Sequence, residues 1–200
     1  MSKANKSNKA IKYRLYPNDE QKVMFAKTFG CCRFVYNQLL ALQKQRYKDG
    51  ESHLSKLKSN EFATRTLKKD YDFLKEIDKF AVSNAVFHLA DAYDRFFKKQ
   101  NHFPKFKSKR KSKKSYTTNF TNNNILIGKN VIKLPKVGMV KAVIHKLPKD
   151  DSKLKSVTVS QDSVGNYFAS VLFEYEQEDI PSVSKSSTNA IGLDYKSDGL

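Results

Sequence analysis

The hydrophobic period changes sharply at one stretch, Phe103–Phe120, FPKFKSKRKSKKSYTTNF. Ahead of it apolar residues recur mainly every three or four positions; behind it they alternate, so a helical block must be joined here to a sheet block. The Phe103-Pro104 pair stops the preceding helix, because a residue before proline is disfavoured in the helical region. Seven Lys or Arg follow within residues 105–114, and polar, β-prone residues close the stretch.

Charge divides at the same seam. Residues 1–114 hold 28 of the 38 Lys and Arg but 11 of the 20 Asp and Glu, whereas residues 115–200 hold 10 and 9, so nearly all of the net +18 lies ahead of the sheet block. That is the footprint of a polyanionic partner. A membrane surface fits poorly, because Phe106 is the sole large apolar residue between Lys105 and Lys114 and gives the run little to insert into lipid. Phe103, Phe106, Tyr116 and Phe120 flank the charges and would offer stacking surfaces beside phosphate ligands, which favours nucleic acid; a solvated linker is the bland alternative. No apolar run approaches a membrane span and the start MSKANKSNKA lacks the apolar middle of a secretory signal, so the expected location is cytoplasmic, at the nucleoid. Cys31 and Cys32 are adjacent, with no CxxC and no Cys/His cluster nearby, which predicts reduced helical thiols and no zinc site in these residues.

Residues 1–9 are polar and basic and predict a disordered arm. In 10–17, Ile11, Tyr13 and Leu15 alternate with Lys12, Arg14 and Tyr16, the period of a strand with one buried face, and Pro17 ends it. Residues 18–102 read as helical. Asn18 and Gln21 form a capping box, and Phe25, Phe29, Cys32, Tyr36 and Leu39 trace one face, with Gly30 a candidate break into two helices and Asp49-Gly50 a stop. Short helices are expected around Leu54–Leu67 and Phe73–Ile77, and a longer one over Lys79–Lys99, where His88, without companion ligands, reads as a surface or satisfied histidine and not a metal ligand. After the basic seam, 103–115, residues 116–176 supply the remaining strands, including hairpins about Gly128–Asn130 and Asp162–Gly165. The fold class is α+β, a small β-barrel with a helical insertion after its first strand. Residues 177–189 have linker composition. In 190–200, AIGLDY is an apolar strand ending in Asp194, a place where metal-dependent phosphodiester cleavage sets a carboxylate, although an isolated strand-end Asp also serves as a turn or cap residue.

Six blocks in this order carry a resemblance: AIKYRLYPNDEQ, RFVYN at Arg33–Asn37, AVSNAVFHLADAYDRFF at Ala81–Phe97, FPKFKSKR at Phe103–Arg110, IKLPKVGMVK at Ile132–Lys141 and IGLDY at Ile191–Tyr195. Over residues 10–200 the chain resembles the TnpB/OrfB proteins of insertion-sequence transposons, relatives of the type V CRISPR effectors. The resemblance implies a wedge-like barrel interrupted by a helical recognition lobe, also described as a helix-turn-helix, and then the start of a RuvC-type nuclease domain. It implies a transposon-derived guide RNA and target DNA as partners, and Mg²⁺-dependent cleavage with Asp194 as metal ligand and first catalytic carboxylate. Contacts to nucleic acid would come from Tyr13, Arg14, Arg33, Tyr36 and Asn37, from Phe103, Lys105, Phe106, Lys107, Lys109, Arg110 and Lys111, and from Lys113, Lys114 and Tyr116. In relatives the other two carboxylates and the zinc-binding CxxC pairs lie farther along than Leu200, and Tyr195 stands where many have Gly. One carboxylate does not hold a two-metal site, so residues 1–200 alone are expected to bind rather than cut. Two readings follow: the nucleic-acid-binding part of an RNA-guided DNA endonuclease, or a non-enzymatic binding module from a decayed or divided gene.

Overall fold

The computed structural model describes residues 5–149 and 151–177. Its sheet is built on the first strand, β1 (Asn5–Tyr16), in which Ile11, Tyr13 and Leu15 are buried and Lys12, Arg14 and Tyr16 face outward as the alternation requires. The remaining strands are β2 (Lys114–Asn119), β3 (Leu126–Ile127), β4 (Val131–Leu134), β5 (Gly138–Val143), β6 (Lys153–Gln161) and β7 (Tyr167–Gln177). All pairs are antiparallel, in the order β2-β6-β7-β1-β5-β4-β3. β1 pairs with β7 along its length, Ile11 opposite Val171 and Tyr13 opposite Ala169, and with β5 only at Arg14–Tyr16.

This corrects the expectation of a disordered arm. Asn5–Lys9 continue β1, because β7 is long enough to offer a backbone partner to every one of them. Lys6 also meets Glu174 at 3.5 Å.

Neighbours in sequence, β2 and β3 lie at opposite edges of the sheet. Seven flat strands would span about 29 Å at about 4.8 Å spacing. The chain from Asn119 to Leu126 reaches at most about 25 Å, and the turn in which Asn124 N–H donates to the Thr121 carbonyl shortens it further. The sheet must therefore coil. Its edges are tied by this link without pairing, so among the described residues the architecture is an open, curled sheet and not the closed barrel that the sequence suggested.

All the described helices lie between β1 and β2. Helix α1 (Asp19–Lys48) opens on the expected box: Gln21 N–H donates to the Asn18 side chain at 2.8 Å, and Asn18 N–H to the Gln21 side chain at 3.1 Å. It runs unbroken through Gly30. A helical glycine costs only about 1 kcal/mol against alanine, and the neighbouring Phe29, Cys31 and Cys32 are all buried against the core. Short α2 (Lys56–Glu61) passes through a π turn (Phe62–Leu67) into α3 (Lys68–Asp70), followed by a 3₁₀ turn at Asp72–Lys75. Helix α4 (Lys79–Phe97) is capped by Asp78, which accepts from Ala81 N–H at 3.2 Å and from the Thr118 hydroxyl at 2.7 Å. One carboxylate thus starts a helix and fastens it to β2. Asn84 adds a second fastening through its amide to the Thr117 carbonyl at 2.9 Å.

Helices and sheet meet over Phe25. It is fully buried, with ring centres 6.5 Å from Phe29, 6.3 Å from Tyr116 and 5.4 Å from Tyr167. Among the described residues no helix is long and apolar enough to cross a membrane.

Candidate nucleic-acid interface

The basic seam is anchored along its length. Phe103 packs edge-on against Tyr93 (5.6 Å) and Phe96 (5.2 Å) of α4, and Pro104 is buried behind it. Asn37, on α1, grips the backbone of Lys107 twice: its amide donates to the Lys107 carbonyl at 2.9 Å, and Lys107 N–H donates to its oxygen at 2.8 Å. Ser108 and Ser112 then close a turn, with Ser112 N–H on the Ser108 carbonyl (3.2 Å), Ser108 N–H on the Ser112 hydroxyl (2.9 Å) and Lys111 N–H on the Ser108 hydroxyl (3.0 Å). A freely solvated linker has no such anchors.

Lys105, Lys109, Arg110, Lys111 and Lys113 project from this frame, exposed, and no described carboxylate pairs with any of them. Beneath the turn a hollow of about 40 Å³ is lined by Arg33, His88, Lys107, Lys113 and Lys114 together with Ser112. It admits water-sized groups such as phosphate oxygens, not a base. Burial depresses the Lys107 ammonium below its ordinary range, and its nitrogen sits 4.0 Å over the Tyr36 ring. Burial, with Lys107 adding a nearby like charge, also lowers His88, which favours the neutral imidazole at pH 7. An anion entering the hollow would meet Arg33, Lys113 and Lys114 and would offset the burial that disfavours the charged form of Lys107, a geometry that favours phosphate.

The structure separates the other sequence-predicted contacts. Tyr13 (0% exposed), Tyr116 (3%) and Tyr36 (5%) are core residues with no ring face open to a base, because each falls on the apolar phase of its own element. The Tyr13 hydroxyl donates to the Lys146 carbonyl at 2.7 Å; the Tyr116 hydroxyl is buried with no partner among the described residues. Arg14 lies on the outer face of the sheet, hydrogen-bonded to Asn166 with its guanidinium 5.0 Å from the Phe168 ring. Lys12 approaches the same ring at 4.2 Å. That outer patch of Lys12, Arg14, Tyr16 and Phe168 was legible in part, since the alternation burying Tyr13 must expose its neighbours.

A second basic hollow, of about 420 Å³, collects Lys68, Lys75, Lys79 and Lys136 with Thr121, Asn122 and Asn124 near the start of α4. Its residues come from separate segments, so no sequence signal joined them. Among the described residues no group of three or more His, Cys, Asp or Glu is placed to hold a metal, and Asp194 lies outside the described residues. Cys31 and Cys32 are free and buried, their thiols pushed up by burial to about 11 and about 12.

Residues 7–52 match a helix-turn-helix domain of the OrfB IS605 type. In this chain that span holds β1 and the single helix α1, with no second helix inside it. A Streptomyces pristinaespiralis protein named as an RNA-guided DNA endonuclease is 30% identical over 188 residues, covering 93% of this chain and 45% of that protein. The Escherichia coli K12 protein named as RNA-guided DNA endonuclease InsQ is 29% identical over 192 residues, covering 92% and 44%. Virulence protein VsdF of Salmonella dublin is 32% identical over 111 residues, covering 50% of this chain and 93% of VsdF. The chain spans less than half the length of the first two relatives. Alignments that span about nine-tenths of this chain, together with the matched strand–helix unit at its start, make it a member of the OrfB/TnpB family of insertion-sequence transposon proteins.

Proposed function

We propose that this chain is the nucleic-acid-binding portion of an RNA-guided, Mg²⁺-dependent DNA endonuclease associated with transposition. The observation that carries the reading is the seam itself: a row of exposed, unpaired cations on a backbone clamped by Asn37 and by the Ser108–Ser112 turn. Such a frame holds a sugar–phosphate backbone in register while leaving sequence choice to base pairing, as a guide RNA and its DNA target would require. Lys105, Phe106, Lys109, Arg110, Lys111 and Lys113 face that backbone, and Arg33, Lys107 and Lys114 ring the hollow beneath it. Asn37 acts by holding the seam. Cleavage belongs to a RuvC-type domain beginning near residue 190, where Asp194 would be the first of its Mg²⁺ ligands. Zinc, where the family uses it, would sit outside these residues.

The test is binding of a structured RNA over a range of salt. With about five to eight phosphates contacted, the log–log slope should be several units, and replacing Lys105, Lys109, Arg110, Lys111 and Lys113 together by Gln should flatten it by about four. An unchanged slope in that variant would remove the seam from the interface. The catalytic assignment has its own check in a protein bearing the remaining carboxylates: undiminished cleavage after Asp194→Ala would reject it.

A further inference from the structure

The far ends of α1 and α4 enclose a cleft of about 630 Å³ that the backbone-binding reading does not use. Its walls are aromatic: Tyr47, Tyr93, Phe96, Phe97 and Phe103, with His53 edge-on to Tyr93 at 4.5 Å. Tyr47 is 85% exposed and Phe97 65%, which is unusual for rings that a core would readily take. The volume falls within the range of about 300–1,000 Å³ typical of small-molecule sites.

Charge at the mouth narrows the occupant. Lys44 and Lys48 line it, the Lys44 ammonium lying 5.4 Å from the Phe103 ring and 4.8 Å from the Phe106 ring. The one acid there, Glu51, is held by Arg46 at 2.5 Å. The uncompensated charge is positive and the walls are π faces, a combination complementary to an aromatic base carrying a phosphate. A second copy of a chain with net charge +18 is a poor fit to the same place. Phe103 is shared between the cleft and the start of the seam, so a strand tracked by the seam reaches the cleft without a detour.

We propose that this cleft takes an unstacked nucleobase of a single-stranded segment, sandwiched by Tyr47 and Phe97 with its phosphate on Lys44 or Lys48. The proposal rests on the nucleic-acid reading above and adds to it a site for a base rather than for backbone. A duplex keeps its bases stacked inside and cannot fill such a cleft; a splayed loop or end can.

The experiment compares a labelled single-stranded ten-nucleotide thymidine oligomer with an oligomer of the same length and charge made of abasic sites, by fluorescence anisotropy with the whole chain. One stacked base contributes about 1–3 kcal/mol, so the base-bearing oligomer should bind about 5- to 150-fold more tightly. Tyr47→Ala and Phe97→Ala, both at exposed positions, should each cut that preference severalfold while leaving the salt slope unchanged. Equal affinity for the two oligomers, or a preference that survives both substitutions, overturns the base site and leaves the backbone reading standing. Binding of neither oligomer, nor of structured RNA, overturns both. A concentration-dependent dimer in sedimentation that Phe97→Ala abolishes would assign the cleft to a second copy instead, and so overturns it too.

Discussion

Two sets of aromatic residues divide this protein. Under the sheet, Phe25, Tyr13 and Tyr116 are essentially inaccessible; at the far end of the helices, Tyr47 and Phe97 stand largely in solvent. The first set occupies inward phases of β1, β2 and α1, where every ring has a sheet or helix to cover it. The second lies on the last turns of α1 and α4 and just beyond, where the sheet no longer reaches. Tyr47 and Phe97 line one cleft, and exposed apolar surface of that kind is where a partner would bind, whereas the inner set answers to packing alone. Proximity to a basic run in sequence does not distinguish the two, as Tyr116 shows: it follows Lys113 and Lys114 by two or three positions and is buried.

Substitution should pull the two sets apart. Phe25→Ala empties the space between Phe29, Tyr116 and Tyr167 and should cost about 3–5 kcal/mol, read as a lower urea midpoint. A loss under about 1 kcal/mol would mean that helices and sheet are not packed through this ring. Tyr116→Phe tests the inner set from the other side. Its hydroxyl is buried without a partner among the described residues, so removing it should raise stability by about 1–3 kcal/mol; destabilisation would show that the oxygen is satisfied after all. The same change at Tyr13 should have the opposite sign, since that hydroxyl donates to the Lys146 carbonyl, and should lower stability by about 0.5–1.5 kcal/mol. Phe97→Ala, in the outer set, should change stability by no more than about 0.5 kcal/mol. A larger loss would turn Phe97 into a core residue and weaken the case for an occupant of the cleft.

Much of this arrangement was legible in the residues. The capping box at Asn18 and Gln21, the unbroken stripe of α4 and both late hairpins follow from local chemistry that the tertiary structure has no reason to override. Alternation in AIKYRLY had already put Tyr13 inside with Ile11 and Leu15, and the helical stripe had done the same for Tyr36. Both tyrosines are buried, as those patterns require. What local patterns could not carry was anything set by distant partners. Asn5–Lys9 become strand only because β7 is long, Gly30 stays helical because its neighbours are buried, and the sheet stays open because the short β2–β3 link fixes its curl without bringing the edges into register. The π turn at Phe62–Leu67 has no sequence signature that we can identify. The two bonds of Asn37 to the Lys107 backbone join segments 70 residues apart, which no local pattern announces.

Helix α1 has a mechanical consequence. Thirty residues without a break form a rod about 45 Å long. One end is moored to the sheet, where the Gln21 amide donates to the Met139 carbonyl at 2.8 Å, and the other carries Lys44, Tyr47 and Lys48 at the cleft. The buried positions of this rod run from Phe25 near the sheet to Gln43 near the cleft, so it is packed along most of its length and spaces the seam, fastened at Asn37, and the cleft at set distances from the sheet.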